Sequence, residues 1–365
     1  MSKIPFNLTP LPPKIDYEKL VKEIARANAS VAKLDVLLSQ LKNPRLLART
    51  LATREAVLSS QIEGTEATLQ EVLEQEAKEI KKEESKIEKD YREIINYRMA
   101  LEEGMELLKE RPLSENLIKN LHSTLLRSAR GHNRGPGEFR KKVVYIGKPG
   151  ATIEEASYVP PIPTAIPSLF SNFEKYIHSE EPDTLVQIGI AHYQFEAIHP
   201  FEDGNGRIGR LLISLMLYDK KLLSYPFIYL SEFFEEHRRD YYDLLRGVSE
   251  RGEWEAWLSF FLRGIDIQAQ KTQATSQKIL DLHSELKSKV TELNSKYARD
   301  FLDALFINPY FSSRTIKRRA NIKNQQTLFT LIDKFRSAGI INDITPNQKR
   351  NKMYHFNKLS VLLDE

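Results

Sequence analysis

The chain has 365 residues, 41% of them hydrophobic and 28% charged, with a formal net charge of +4 and no cysteine. Disulfide scaffolding, thiolate catalysis and cysteine-held metals are therefore excluded. No apolar run reaches the roughly 18 residues of a membrane-spanning helix, and the start, MSKIPFNLTPLPPKIDYEKL, is polar and proline-punctuated; a cytoplasmic protein with no membrane partner is the expectation. Charge is uneven: residues 296–365 carry 13 Lys/Arg against 6 Asp/Glu, while the rest is slightly acidic. The length suits two or three domains.

Residues 1–95 read as a charged helical region. Leu46 to Ile62 is a predicted helix, with Gly64 as its stop. Near its end stands Ser59-x-x-x-Glu63-Gly64, which alone is no more than a helix-ending surface glutamate. Residues 71–94, EVLEQEAKEIKKEESKIEKDYREI, read as a loop or solvated helix, too short for a zipper. Residues 96–270 form the predicted core with a helical extension. Within it, Val143 to Ile146 is a short β-type run ended by Gly147, and the proline-rich stretch that follows cannot be a regular helix; a two-stranded hairpin or flap is expected.

Residues 183–199, DTLVQIGIAHYQFEAIH, carry apolar residues at helical spacing. Ile208, Leu211, Leu212 and Leu215 do the same, so a second helix should begin near Asn205 or Gly206. Between them lies HPFEDGNGRIGR, His199 to Arg210. Gly204 and Gly206 give backbone freedom at the helix start, where exposed N–H groups make an anion site. Arg207 and Arg210 share a face of the first turn, the positive end of the helix dipole, where each cation costs about 0.3–1 kcal/mol. Two arginines there point to a bound anion, and a polyphosphate fits their planar forks. Asp203, beside bound phosphates, suits Mg²⁺. His199 suits a base acting on a hydroxyl near neutral pH. A zinc site on His192 and His199 lacks both cysteine and His-Glu-x-x-His spacing, so His192 reads as a hydrogen-bonded packing residue.

HPFEDGNGR followed by Ile-Gly-Arg resembles, at every fixed position, the signature of the Fic family (filamentation induced by cAMP). The resemblance implies a mainly α fold: a Fic-type helical core with a β-hairpin flap, an N-terminal helical region and a C-terminal winged helix-turn-helix. It also implies transfer of AMP from ATP to a protein Ser, Thr or Tyr hydroxyl, with release of pyrophosphate. His199 would be the base and Asp203 the Mg²⁺ ligand. The amides of Gly204, Asn205 and Gly206 would cradle the α- and β-phosphates. Arg207 would hold the β- and γ-phosphates, and Arg210 the γ-phosphate. Ile208 and Gly209 fall with the ATP-binding residues, as do Val144, Tyr145, Ile146 and Gly147 of the flap. Kinase relatives carry Lys where Gly206 stands.

Ser59-x-x-x-Glu63-Gly64 is similar to the family's inhibitory motif, in which Glu63 would pair with Arg210 and keep the γ-phosphate out. Gly137, Phe139 and Arg140 match the family's approach to the flap, which would pin a target protein by strand addition. Tyr241 and Tyr242 resemble a tyrosine pair near the adenine pocket, Tyr241 being the expected ligand; Ser249 stands where some relatives have Asn. Self-modification and a homodimer are further expectations. Two other readings stay open: removal of AMP, with Glu63 orienting a water, and a DNA- or partner-binding regulator that uses the core as a nucleotide sensor.

Residues 271–295 read as a linker helix and 296–365 as a basic module. Ser312-Ser313 suits a helix start, Asn321 to Asn324 a turn, Gln325 to Ala338 a second helix and Gly339 its stop, before a hairpin ending in Met353-Tyr354-His355-Phe356. The order resembles a winged helix-turn-helix. Gln325, Gln326 and Thr327 could meet DNA bases, with Arg314, Lys317, Arg318, Arg319, Lys349 and Arg350 on phosphates. A protein-binding or purely structural wing is equally compatible.

Overall fold

The computed structural model describes residues 5–39, 45–78, 86–129, 131–147, 150, 152–348 and 352–364. Among these, the helices in chain order are α1 (Val21–Ser39), α2 (Arg45–Ile62), α3 (Leu69–Lys78), α4 (Lys86–Leu107), α5 (Glu115–Leu125), α6 (Ile166–Ile177), α7 (Thr184–Ile198) and α8 (Asn205–Asp219). They continue as α9 (Leu230–Glu236), α10 (Arg238–Arg251), α11 (Trp254–Thr291), α12 (Ala298–Ile307), α13 (Ser313–Arg319), α14 (Gln325–Ser337) and α15 (Asn357–Asp364). Three short strands, β1 (Tyr310–Ser312), β2 (Asn342–Asp343) and β3 (Met353–His355), form one antiparallel sheet in the order β1-β3-β2.

Helix α7 is the post of the core. Every residue in it except Thr184 and Glu196 is buried, as expected of a helix apolar on all sides. Asp183 caps it by accepting from the Val186 amide at 2.9 Å. Helices α6, α8, α10 and α11 pack around it. Leu211, Leu212 and Leu215 bury one face of α8, and Gly104 lets α4 pass close to Leu215.

Helix α2 is wedged among α4, α9 and α12, and buried polar bonds hold it there. Arg54 pairs with Glu232 at 2.9 Å, and Lys271 reaches the same carboxylate at 2.9 Å. Arg98 of α4 donates to Thr53 at 2.8 Å and to Glu76 of α3 at 2.6 Å. Gly64 ends the segment at φ +89°, a left-handed conformation that glycine adopts without a Cβ penalty.

The flap is short in backbone pairing. Among the described residues it holds one antiparallel bridge, Ile146 to Tyr158, with the Ile146 amide donating at 2.8 Å. Pro160, Pro161 and Pro163 follow at once, and proline has no N–H to extend a ladder. Residues 271–291 continue α11, a 38-residue helix about 57 Å long. Ala269, Ile279, Leu282, Leu286 and Val290 continue its buried stripe, and no glycine or proline breaks that stretch.

In the C-terminal part, Ser312 caps α13 with a reciprocal Thr315 bond, Asn324 caps α14, and Gly339 turns at φ +67°. This part packs on the N-terminal region. Thr50 of α2 bonds to the Phe306 carbonyl at 3.3 Å, Asn308 bonds to the Leu73 carbonyl at 3.1 Å, and Leu73, Ala77, Tyr310 and Met353 form a small apolar cluster. Arg319, expected on DNA phosphate, is turned inward toward Glu76, Arg49 and Arg98, and burial lowers its guanidinium to about 10. Lys349 and Arg350 lie outside the described residues. No helix among the described residues is long and apolar enough to cross a membrane.

Candidate active site

The His199–Gly204 loop links α7 to α8, and its shape is imposed by its neighbours. His199 closes α7 in the left-handed region, at φ 49°. Arg140 clamps that turn: its Nε donates to the His199 carbonyl at 2.8 Å, and its Nη2 donates to the Pro161 carbonyl at 2.6 Å and the Ile198 carbonyl at 3.3 Å. Asn205 folds the loop from within, accepting from the Phe201 amide at 2.8 Å and donating to the Phe201 carbonyl at 2.9 Å.

His122 supports the loop from below, and nothing in the sequence pointed to it. It accepts from the Gly137 amide at Nδ1, so its Nε2 carries the proton given to the Asp203 carbonyl at 2.8 Å. Its ring stacks on Phe201 at 3.8 Å. Burial lowers it to about 4, consistent with a neutral ring. The only trace in the sequence was its place on a helix with an apolar face, which does not reveal a partner 81 residues away.

Helix α8 starts at Gly204, at φ 79°, without a side-chain cap, so the amides of its first turn are not taken up by the N-cap residue. Arg207 is buried and bonds to Asp203 at 3.1 Å and to Glu93 of α4 at 3.3 Å. Arg210, also buried, bonds entirely to α2 and the residue just past it. Its Nε donates to the Ser59 hydroxyl at 2.9 Å, and its Nη2 donates to the Ser59 carbonyl and to Glu63 Oε1, both at 2.8 Å. Burial alone would raise the Glu63 carboxyl, but Arg210 and then Arg207 hold it below the usual carboxylate range.

The His199 ring is neutral at pH 7. Burial, with Arg140 second, lowers it to about 4, against an opposing rise from Glu63 and the Glu196 backbone. An open cavity of about 1150 Å³ lies against α7, α10 and the segment just past α2. Glu63, Gly64, Ile146, Gly147, Tyr158, Glu196 and Tyr242 line it, with Arg238, Asp243, Arg246 and Ser249 at its outer wall.

The predicted residues divide in this geometry. Glu63, Ile146 and Gly147 border the cavity, and Ser59 and Arg210 stand directly behind Glu63. Gly204, Asn205 and Gly206 make the helix start. Ile208 is wholly buried and Gly209 faces Glu196, so both serve packing. Val144, Tyr145, His199, Asp203, Gly204, Asn205, Gly206, Arg207 and Arg210 are not among the cavity-lining residues. Tyr241 is buried, and its hydroxyl lies 2.9 Å from His192 Nε2. Tyr242, one position on, points into the cavity instead. His192 is the packing residue expected, with Nδ1 at 3.1 Å from the Gly209 carbonyl. Among the described residues no group of three or more His, Asp or Glu could hold a metal by itself.

A buried helical post, a glycine-led second helix and a clamped loop between them define a Fic-type core. Family models agree: Fic/DOC family N-terminal matches residues 21–106, and Fic/DOC family matches residues 112–217. The chain belongs to the Fic/DOC family. It is 30% identical over 184 residues to the protein adenylyltransferase Fic of Aedes aegypti, covering 50% of this chain and 32% of that protein. It is 29% identical over 172 residues to that of Culex quinquefasciatus, covering 45% and 31%. The match thus spans about a third of the length of these curated relatives. The fold is similar to a Fic family protein from Desulfovibrio desulfuricans G20, with a TM-score of 0.62 at 20% identity, covering 95% of this chain and 98% of that one. It is also similar to C. elegans Fic-1, with a TM-score of 0.55 at 21% identity, covering 71% and 75%.

Proposed function

We propose that this protein transfers AMP from ATP to a hydroxyl of a protein, restrained by Glu63. The observation that carries the reading is the neutral His199 ring, three residues past the cavity-lining Glu196, in a loop that leads into an uncapped helix start carrying two buried arginines, one of them bonded to the cavity-lining Glu63. The target hydroxyl oxygen attacks the α-phosphorus while His199 takes its proton. The bond from the α-phosphorus to the bridging oxygen breaks, and pyrophosphate leaves. The protein's contribution is position and charge: amides of Gly204 to Gly206 toward the phosphates, Arg207 and Arg210 toward the leaving group. Arg207 Nε, buried and without a hydrogen-bond partner among the described residues, supports that role.

Asp203 keeps part of its carboxylate accessible, and one carboxylate with phosphate oxygens is a usual Mg²⁺ set. That ion would neutralise charge on the leaving phosphates. In the restrained state Glu63 occupies Arg210, so a terminal phosphate must displace it. Labelling with α-³²P-ATP and γ-³²P-ATP tests the reaction class. AMP transfer deposits only the α label on protein; a γ label without an α label would replace this reading by a kinase.

A nucleic-acid role for the C-terminal part is a second proposal. The start of α14 exposes Gln325 and Gln326, Phe329 is 43% exposed on the same helix, and Arg314 and Arg318 are exposed on α13. A winged module of that kind would place α14 in a DNA groove. Affinity for duplex DNA that falls steeply with salt is expected; no binding at low salt would remove the role.

A further inference from the structure

Three carboxyl groups lie near Arg210: Glu63 bonds to it, Glu55 of α2 is held by Ser231 and Tyr97, and Glu196 makes no bond to it among the described residues. Glu63 comes from the segment just past α2. Glu196 of α7 reaches the same stretch of α8 over a different glycine. A Cβ at Gly206 would overlap Glu63 Oε1, and a Cβ at Gly209 would overlap Glu196 Oε1. These glycines are three apart on one helix face, so their spacing makes room for both carboxyl groups. Glu196 is the one residue in the body of α7 that is not buried among apolar neighbours: its side chain lines the cavity. Its Oε1 is sealed from solvent and has no hydrogen-bond partner among the described residues. A buried carboxyl oxygen without a partner is destabilising, and the chemistry proposed above gives this one no task.

We propose that Glu196 is a specificity-determining residue of the cavity: by its charge, it sets how strongly Arg210 holds the terminal phosphate of a nucleoside triphosphate. This rests on the nucleotide reading above. Burial pushes the Glu196 carboxyl up to about 7, with Arg210 opposing and Glu63 adding to the rise. The groups facing it are Arg210 from α8, Glu63 from beyond α2, Tyr241 and Tyr242 from α10, and His199 one turn along its own helix. Both phenols are raised above their usual range and His199 is lowered, so Arg210 and Glu63 carry the charge at pH 7.

The sign follows from charge. A terminal phosphate on Arg210 brings more negative charge than the Glu63 it displaces, which favours the protonated carboxyl. Triphosphate binding then takes up a proton and weakens as pH rises through about 7, where ionised Glu196 competes for Arg210. A monophosphate, which does not reach Arg210, lacks this dependence.

Calorimetry of the full chain carrying Glu63→Gly, with Mg·ATP and with AMP, in buffers of different ionisation enthalpy between about pH 5 and 8.5, tests it; the window reaches below 7 because removal of Glu63 leaves Arg210 to lower the Glu196 carboxyl. The expected result is an ATP affinity that falls about three- to tenfold across that range with proton uptake. Adding Glu196→Gln should flatten the course and remove the uptake, and AMP should show neither. An unchanged slope and uptake in the Glu196→Gln protein overturns the role of Glu196 and leaves the nucleotide reading standing; no ATP binding by Glu63→Gly removes both. Should Glu196→Gln fail to fold, Glu196→Asp, which keeps the acid but withdraws it, must shift the midpoint; an unmoved midpoint overturns the inference.

Discussion

Arg210 Nη2 and Glu63 Oε1 are 2.8 Å apart across 147 positions of sequence, and the same guanidinium donates two further bonds to Ser59. The arginine expected to meet a terminal phosphate therefore has its charge satisfied from within the chain. Removing the carboxylate leaves the Ser59 bonds to hold the guanidinium in place. Glu63→Gly is expected to raise AMP transfer from α-labelled ATP by roughly 10- to 100-fold, the worth of one charge-assisted bond of about 1.5–3 kcal/mol. Equal labelling by variant and parent would show that the pair does not restrain the site.

His199→Ala should reduce transfer by at least about 10²-fold, the usual share of general base catalysis. The pH course carries a second signature. Because burial and Arg140 lower His199 to about 4, its base form persists through mildly acidic pH, and activity should fall only as pH drops through about 4. A limb near 6.5 in the rate profile of Glu63→Gly would mean that His199 is not the titrating base.

The two adjacent tyrosines should part company. Tyr242→Ala, at the cavity wall, is expected to raise the KM for ATP severalfold with little change in Tm. Tyr241→Phe leaves His192 Nε2 without its hydroxyl and should act on stability by about 1 kcal/mol, leaving KM alone. The reverse pattern in steady-state kinetics and thermal melts would restore Tyr241 as the nucleotide contact.

Glu76 ties α2, α3, α4 and the C-terminal part together through Arg49, Arg98 and Asn308. Burial works against its charge, yet Arg98 and Arg49 hold it at about 2. A depressed carboxyl contributes stability above its unfolded value of 4.5 and loses it as pH falls through about 2. Glu76→Gln should therefore cost about 3 kcal/mol at pH 7, with the gap to the parent closing between pH 4.5 and 2 in denaturant titrations. A gap independent of pH would assign the loss to packing.

Much of this architecture was legible in one dimension because its causes are local. Apolar spacing at 3.6 residues gave α7 and α8, and Gly64, Ser312, Asn324 and Gly339 marked turns and caps close to where they occur, since capping and left-handed φ depend on adjacent backbone. The His199–Arg210 stretch announced its chemistry because glycines, arginines and a carboxylate were compressed into one loop. What tertiary structure decided is what depends on contact between distant segments. Arg140 clamps the His199 turn from 59 residues away, His122 holds Asp203 from 81, and Tyr241 and Tyr242 differ only in which way the packing of α10 turns each ring. The apolar run of the flap suits a strand, and the prolines after Tyr158 limit its pairing to one bridge among the described residues, because they lack the amides that a longer ladder requires. Helical period gives a side chain its face; only the partner helix determines whether that face meets solvent, core or cavity.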